Sequence, residues 1–249
     1  MQSYYVISCD DIYQDFYALL LSRLKAKSAD LGIATESGRY CGRHYCKVDC
    51  AAVPKESVVA LICDMFTEIL LTDFKHIYFK SNLDIEISDS DLSSVFYSCV
   101  TLYDRDFDEE LLSIRSVSDR ELAIDSLIRF CTGDLSKRWK SVAQILKESF
   151  YGGNDREAIV EFVKHIVYAA PVKTAELNVF CRDCRYVFID ENGQDVATVS
   201  TECGSLGELA CQMLYNMPSK VNFFDAPDTK GLRFLKNLFS DKVSFYVHE

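Results

Sequence analysis

The hydrophobic period of this chain changes at Pro171, and no other feature restricts the fold as strongly. From 57 to 169 apolar residues recur at helical spacing; after Pro171 they alternate, as in Leu177, Val179 and Cys181. Residues 174–201 therefore predict strands joined by tight turns, with Asn192-Gly193 the strongest turn signal in the chain. A helix over 204–217, a strand over 220–224, a helix over 229–239 and a strand over 243–247 complete the C-terminal third.

The N-terminal fifty residues predict a small α/β unit. Residues 4–9 read as a buried strand, and 11–27 as a helix with Phe16, Leu19, Leu20 and Leu24 on one stripe. Two further strands, 31–35 and 45–48, are expected around a turn containing Gly38 and Gly42. Pro54 opens a long helix to about Lys80, at a position where a missing N–H does no harm. From 57 to 169 the pattern is helical throughout. Capping boxes are expected at Ser118 with Glu121, Asn154 with Glu157 and, further on, Ser205 with Glu208. Leu135, Trp139, Val142, Leu146 and Phe150 form one apolar stripe, and Ile159, Phe162, Val163, Ile166 and Val167 another. The single tryptophan, Trp139, reads as core. The expected class is α+β: a small N-terminal α/β unit (1–53), a helical central region (54–170) and a C-terminal mixed β-sheet with hairpins and two helices (171–249).

Composition sets the compartment and the partners. With 4 prolines and 10 glycines in 249 residues, disorder and low complexity are disfavoured. The first eleven residues hold no basic run and reach two aspartates, which does not suit a signal peptide. Eleven cysteines without an export signal point to free thiols in a reducing, cytoplasmic compartment. The most apolar long segment, 57–79, carries Asp64, Glu68, Asp73 and Lys75. Each would cost about 2.5–3.5 kcal/mol in a bilayer, so no membrane insertion is expected. The net charge of −11 is concentrated: residues 82–125 hold twelve acids against Arg105, Arg115 and Arg120, a local −9. Nucleic acid is therefore a poor default partner, since phosphate is bound through Lys and Arg. A basic protein partner suits Asp104, Asp106, Asp108, Glu109 and Glu110 better.

Four clusters carry possible chemistry. Cys181-x-x-Cys184 flanks an expected two-residue turn at Arg182-Asp183, which would bring the two thiols face to face as zinc ligands or a redox pair. A structural zinc needs four ligands, and only one such pair is present. Cys41, His44, Cys46 and Cys50 have the right ligand types for zinc at spacings that match no common site. Asp104-x-Asp106-x-Asp108 imitates a calcium loop, but Glu109 and Arg115 occupy the positions that need glycine and glutamate. Gly204-Ser205-Leu206-Gly207 opens a helix as phosphate-binding loops do, while completing neither nucleotide signature. The same tetrad misses GxSxG because Cys203 takes the first glycine position, and none of His44, His76, His165 or His248 pairs locally with a nucleophile.

Three further stretches carry a family likeness: 161–168 (EFVKHIVY) with 175–180 (AELNVF) and 186–193 (YVFIDENG); 217–222 (MPSKVN) with 235–243 (LKNLFSDKV); and 127–130 (LIRF). Through these the chain resembles the YtxC family of sporulation-associated proteins, over roughly residues 58–246. The resemblance implies a role in sporulation and brings no catalytic residues with it. The expectation is a cytoplasmic, non-enzymatic interaction or regulatory factor. The alternatives are a thiol or zinc protein at Cys181 and Cys184 and a nucleotide-binding module at Gly204 and Gly207.

Overall fold

The strand expected over residues 4–9 forms, with Tyr5, Ile7 and Cys9 turned inward and Tyr4 outward. The computed structural model describes residues 4–51, 53–112, 121–150, 156–200 and 206–246. Its elements run β1 (Tyr4–Asp10), α1 (Gln14–Leu31), β2 (Thr35–Tyr40), β3 (Arg43–Asp49), α2 (Lys55–Ile69), α3 (Lys75–Asn82), α4 (Ser90–Leu102), α5 (Arg105–Leu111), β4 (Glu121–Ala123) and α6 (Ile124–Cys131). Then follow α7 (Gly133–Ser149), α8 (Arg156–Ala169), β5 (Thr174–Arg182), β6 (Arg185–Asp190), β7 (Asp195–Ser200), α9 (Leu206–Asn216), β8 (Pro218–Phe224), α10 (Lys230–Phe239) and β9 (Val243–Tyr246). The fold is α+β, with one sheet ordered β2-β3-β1-β4 and another ordered β7-β6-β5-β8-β9, both mixed. The chain divides into two compact units, Met1–Ile77 with Asp104–Ala143, and Tyr78–Tyr103 with Gln144–Glu249. No helix among the described residues is long and apolar enough to cross a membrane.

In the first unit, α1 buries Phe16, Tyr17, Leu20 and Leu24 and ends at Gly32, whose φ of 65° closes the helix in the left-handed region. The β2–β3 turn is Cys41-Gly42, with φ of 50° and 77°, as a type I′ turn requires. Gly38, expected in that turn, lies inside β2 opposite Tyr45. A Cβ there would stand 2.6 Å from the tyrosine Oη, so glycine lets that ring lie across the strand. Between α2 and α3 a π-helical turn, Leu70–Phe74, adds a residue. The buried row Val58, Ile62, Phe66, Leu70 resumes one position late as Leu71, Lys75, Phe79, which delivers a lysine to the interior.

The region expected to be helical throughout contributes a strand. β4 pairs parallel with β1, Ile7 lying opposite Leu122. Glu121 is therefore no capping residue: it opens β4 and accepts a hydrogen bond from Ser8 Oγ at 2.6 Å. Its intended partner Ser118 lies outside the described residues, as do Asn154 and Ser205 of the other two boxes.

In the second unit β5, β6 and β7 form an antiparallel meander, and β8 and β9 join parallel to β5 through α9 and α10. Leu177, Val179, Phe188, Val221, Phe223 and Val243 make the sheet's buried face. α4, capped by the Asp89 carboxylate on the N–H groups of Asp91 and Leu92, packs on α9 and α8. Every residue from Val95 to Leu102 is buried, so the C-terminal half of the helix is covered on every side.

Candidate functional site

Two-residue hairpins with the right-handed twist of strands need positive φ at both turn residues. The β5–β6 turn takes them at Asp183 (47°) and Cys184 (57°), one position later than Arg182-Asp183. Cys181 consequently pairs with Tyr186, Arg182 pairs with Arg185, and Cys184 sits exposed in the turn itself. The two thiols therefore do not face each other across the ladder, which corrects the geometry expected of Cys181 and Cys184. Burial pushes the Cys181 thiol up, helped by its neighbour Cys184. That is the reverse of what a redox thiol needs.

The other cysteine cluster is also dispersed. Cys41 is exposed in its turn, while Cys46 is sealed inside the sheet, its thiol pushed up to about 11 by burial. His44 Nε2 lies 3.0 Å from Asp11 Oδ1, and Cys50 Sγ contacts the Val48 carbonyl. Among the described residues, no three His, Cys, Asp or Glu side chains are placed to hold a metal ion. Gly207 is buried in the first turn of α9, and Gly204 lies outside the described residues.

The acidic run does more folding than its charge suggests. Asp108, 1% exposed, accepts from Lys75 Nζ at 2.6 Å, Trp139 Nε1 at 3.2 Å and Arg138 Nε at 3.1 Å. It is interior and belongs to no accessible acidic face, a correction to its expected place there. Lys75, 3% exposed, is pushed below the usual lysine range by burial, against the pull of Asp108. Arg138 also bonds Asp104, itself in the left-handed region at φ 53°, and lies 4.3 Å over the Phe107 ring. Glu109 pairs with Arg105 at 2.9 Å. Asp106 and Glu110 remain on the exposed side of α5. Beyond that helix, Asp125 is forked by Arg43. Partial burial pushes its carboxyl up, but the guanidinium holds it below the usual range.

What the sequence did not announce lies on the five-stranded sheet, on the face opposite Leu177, Val179 and Phe223. Phe180, Phe224 and Tyr246 stack across β5, β8 and β9, with centroids 4.8 Å and 5.2 Å apart and rings within 19° of parallel. That spacing is the inter-strand repeat, so the row is a ladder that strand pairing itself builds. Arg182 caps one end, 4.9 Å from the Phe180 ring. The other end is Tyr246, 43% exposed, on an edge strand that pairs with β8 alone among the described residues. Beside the row, Asn222 is 2% exposed and donates its amide to the Glu176 carboxylate and to Asn178 Oδ1 at 3.0 Å. The residues were readable as alternating strand positions. Their convergence needed the β5–β8 and β8–β9 pairings, which separate them by more than forty residues and by twenty-two.

A residue's N–H and C=O point to the same side of a strand. Tyr246 accepts from the Asp225 N–H, so its backbone faces β8 and that of Phe245 faces outward. The edge thus combines outward backbone groups with a ring face that an added strand would continue. Comparison with known proteins returned no matching family model, no significant match to a curated protein and none to a solved structure.

Proposed function

We propose that the chain is a non-enzymatic protein-interaction factor of sporulating cells, acting in the cytoplasm, and that it takes a partner segment by strand addition at β9. The aromatic ladder ending on exposed Tyr246 carries this reading. An incoming strand with an aromatic residue beside Tyr246 extends both the backbone ladder and the stack, each aromatic cross-strand pair adding about 0.2–1 kcal/mol. The acidic version of the same reading has less to work with. Asp108 is interior, and Asp104 and Glu109 are paired, so at least three of its five carboxylates are engaged within the fold.

Pull-downs from sporulating cells test it, using the wild type, Tyr246→Ser and the double charge reversal Asp106→Lys/Glu110→Lys. Thermal melts confirm that each variant is folded. Strand addition predicts a partner lost with Tyr246→Ser and kept with the reversal. The opposite pattern transfers the interaction to α5, and no partner with the wild type removes the reading.

A further inference from the structure

The four-stranded sheet is open on one face around Tyr4 and Lys47, while Ser8 on the same face is buried. Its inner face holds Tyr5, Ile7, Cys9, Cys46 and Val48; the alternate residues Tyr4, Lys47 and Asp49 turn the other way, with Glu36 paired across from Lys47. Near the start of β2 these side chains, with Ala34 and Thr35, enclose an open cavity of about 280 Å³. At ~30 Å³ of liquid per molecule that is room for about nine waters, a small-molecule volume.

The charges around it are of both signs. Lys47 Nζ is held 5.9 Å from the Tyr4 ring centroid and 5.8 Å from that of Tyr45, within cation–π range of both. Tyr45 reaches that position because Gly38 beneath it has no Cβ. Lys47 and Glu36 are 3.9 Å apart, the outer limit of an ion pair, with side chains 43% and 72% exposed. So loose a surface pair contributes little and opens at little cost. An anion alone would meet Glu36 and Asp49; a cation alone would meet Lys47. A ligand carrying both charges on neighbouring atoms satisfies all three.

We propose that this cavity is a binding site for a small zwitterion of the α-amino-acid class. The ligand's carboxylate sits at Lys47, its ammonium between Glu36 and Asp49, and its apolar side chain against the Tyr4 ring and Ala34. The site involves no residue of the β9 edge and stands or falls separately from the interaction proposed there.

Calorimetric titration of the full chain with L-phenylalanine tests the assignment, with N-acetyl-L-phenylalanine and L-phenylalaninamide as probes that each lack one charge. The expected dissociation constant is on the order of 1 mM, as the efficiency of ligands this small allows. Each single-charge analogue is expected to bind about 5- to 10-fold more weakly, as are Lys47→Met and Glu36→Gln with the parent amino acid. Both substitutions are on the surface, and thermal melts establish that they leave the fold intact. Gly38→Ala displaces the Tyr45 ring and is expected to weaken binding in the same direction without touching the cavity wall. Absence of heat with 10 mM L-phenylalanine overturns the proposal. So does equal binding of the acetylated analogue, or affinity unchanged in Lys47→Met.

Discussion

Asp108→Asn should be the most damaging conservative substitution in the first unit, and its cost should depend on pH. The side chain keeps its shape but loses the charge that Lys75, Arg138 and Trp139 share. Arg138 retains Asp104 and a partly exposed side chain, so Lys75 bears the loss: an ammonium 3% exposed, beside a neutral amide. Removing the opposite charge from one member of a buried pair costs about 3–5 kcal/mol. The ceiling is set by the alternative of folding with Lys75 neutral. From an unfolded pKa near 10.4, that costs about 1.36 kcal/mol per pH unit, or about 4.6 kcal/mol at pH 7 and about 1.9 kcal/mol at pH 9. The sign follows from linkage: the unfolded state binds the proton that the folded variant rejects, so stability rises with pH across this window. Urea denaturation followed by fluorescence reads the right place, because the chain's single tryptophan, Trp139, donates to Asp108. The expected difference from wild type is about 3–4.5 kcal/mol at pH 7, shrinking to about 2 kcal/mol at pH 9. Lys75→Met should cost less, since Asp108 keeps Arg138 and Trp139. A difference below about 1 kcal/mol at pH 7, or one unchanged between pH 7 and 9, refutes the reasoning.

Three further outcomes are expected. Burial pushes Cys9 up to about 12, Cys46 to about 11 and Cys99 higher still. Their stabilisation is complete below the unfolded thiol pKa and is lost as pH rises through the folded values. Wild-type stability should therefore fall above about pH 9 by about 1.4 kcal/mol per pH unit for each thiol, as a pH series of melts would measure. Cys184→Gly should stabilise the chain by about 1 kcal/mol in urea, because glycine relieves the φ of 57° that cysteine now holds in the hairpin turn; a loss of stability would mean that the thiol has a partner. Thr229→Ala removes the cap that accepts from the Leu232 N–H at 3.2 Å and should cost α10 about 1 kcal/mol by the same measurement.

Much of the fold could be read because its signals are local. Strands β1, β8 and β9 and helix α10 lie within two residues of the bounds that periodicity implies, since each buries one face against a neighbour with the matching period. β4 could not be read in this way. Three residues carry no period, and Glu121–Ala123 is a strand only because β1 lies alongside. The turn at Asp183-Cys184 was missed by one position for a related reason. Inward-facing Leu177 and Val179 fix the register against Phe188 and Asp190, and only that register shows which two residues must take positive φ.

The same distinction governs the sites. Cys41, His44 and Cys46 look like ligands on paper because they are near in sequence, but Cys41 is exposed in its turn, and His44 and Cys46, on one face of β3, go to Asp11 and to the core respectively. Lys75, Asp108 and Arg138 look unrelated because at least thirty residues separate each from the next, yet they share one buried network. The π turn that brings Lys75 inward gives no residue signature, and Asp108 differs from Asp106 only in helical phase. The concentrated acidity of residues 82–125 therefore misleads as a surface argument. Asp89 caps a helix, Asp108 neutralises a buried lysine, Glu121 accepts from Ser8 and Asp125 holds Arg43. Charge counted along the chain becomes charge available to a partner only after such internal partners are subtracted. For this protein the subtraction shifts attention from the acidic helix to two sheet faces, where aromatic rings and a loosely paired lysine remain accessible.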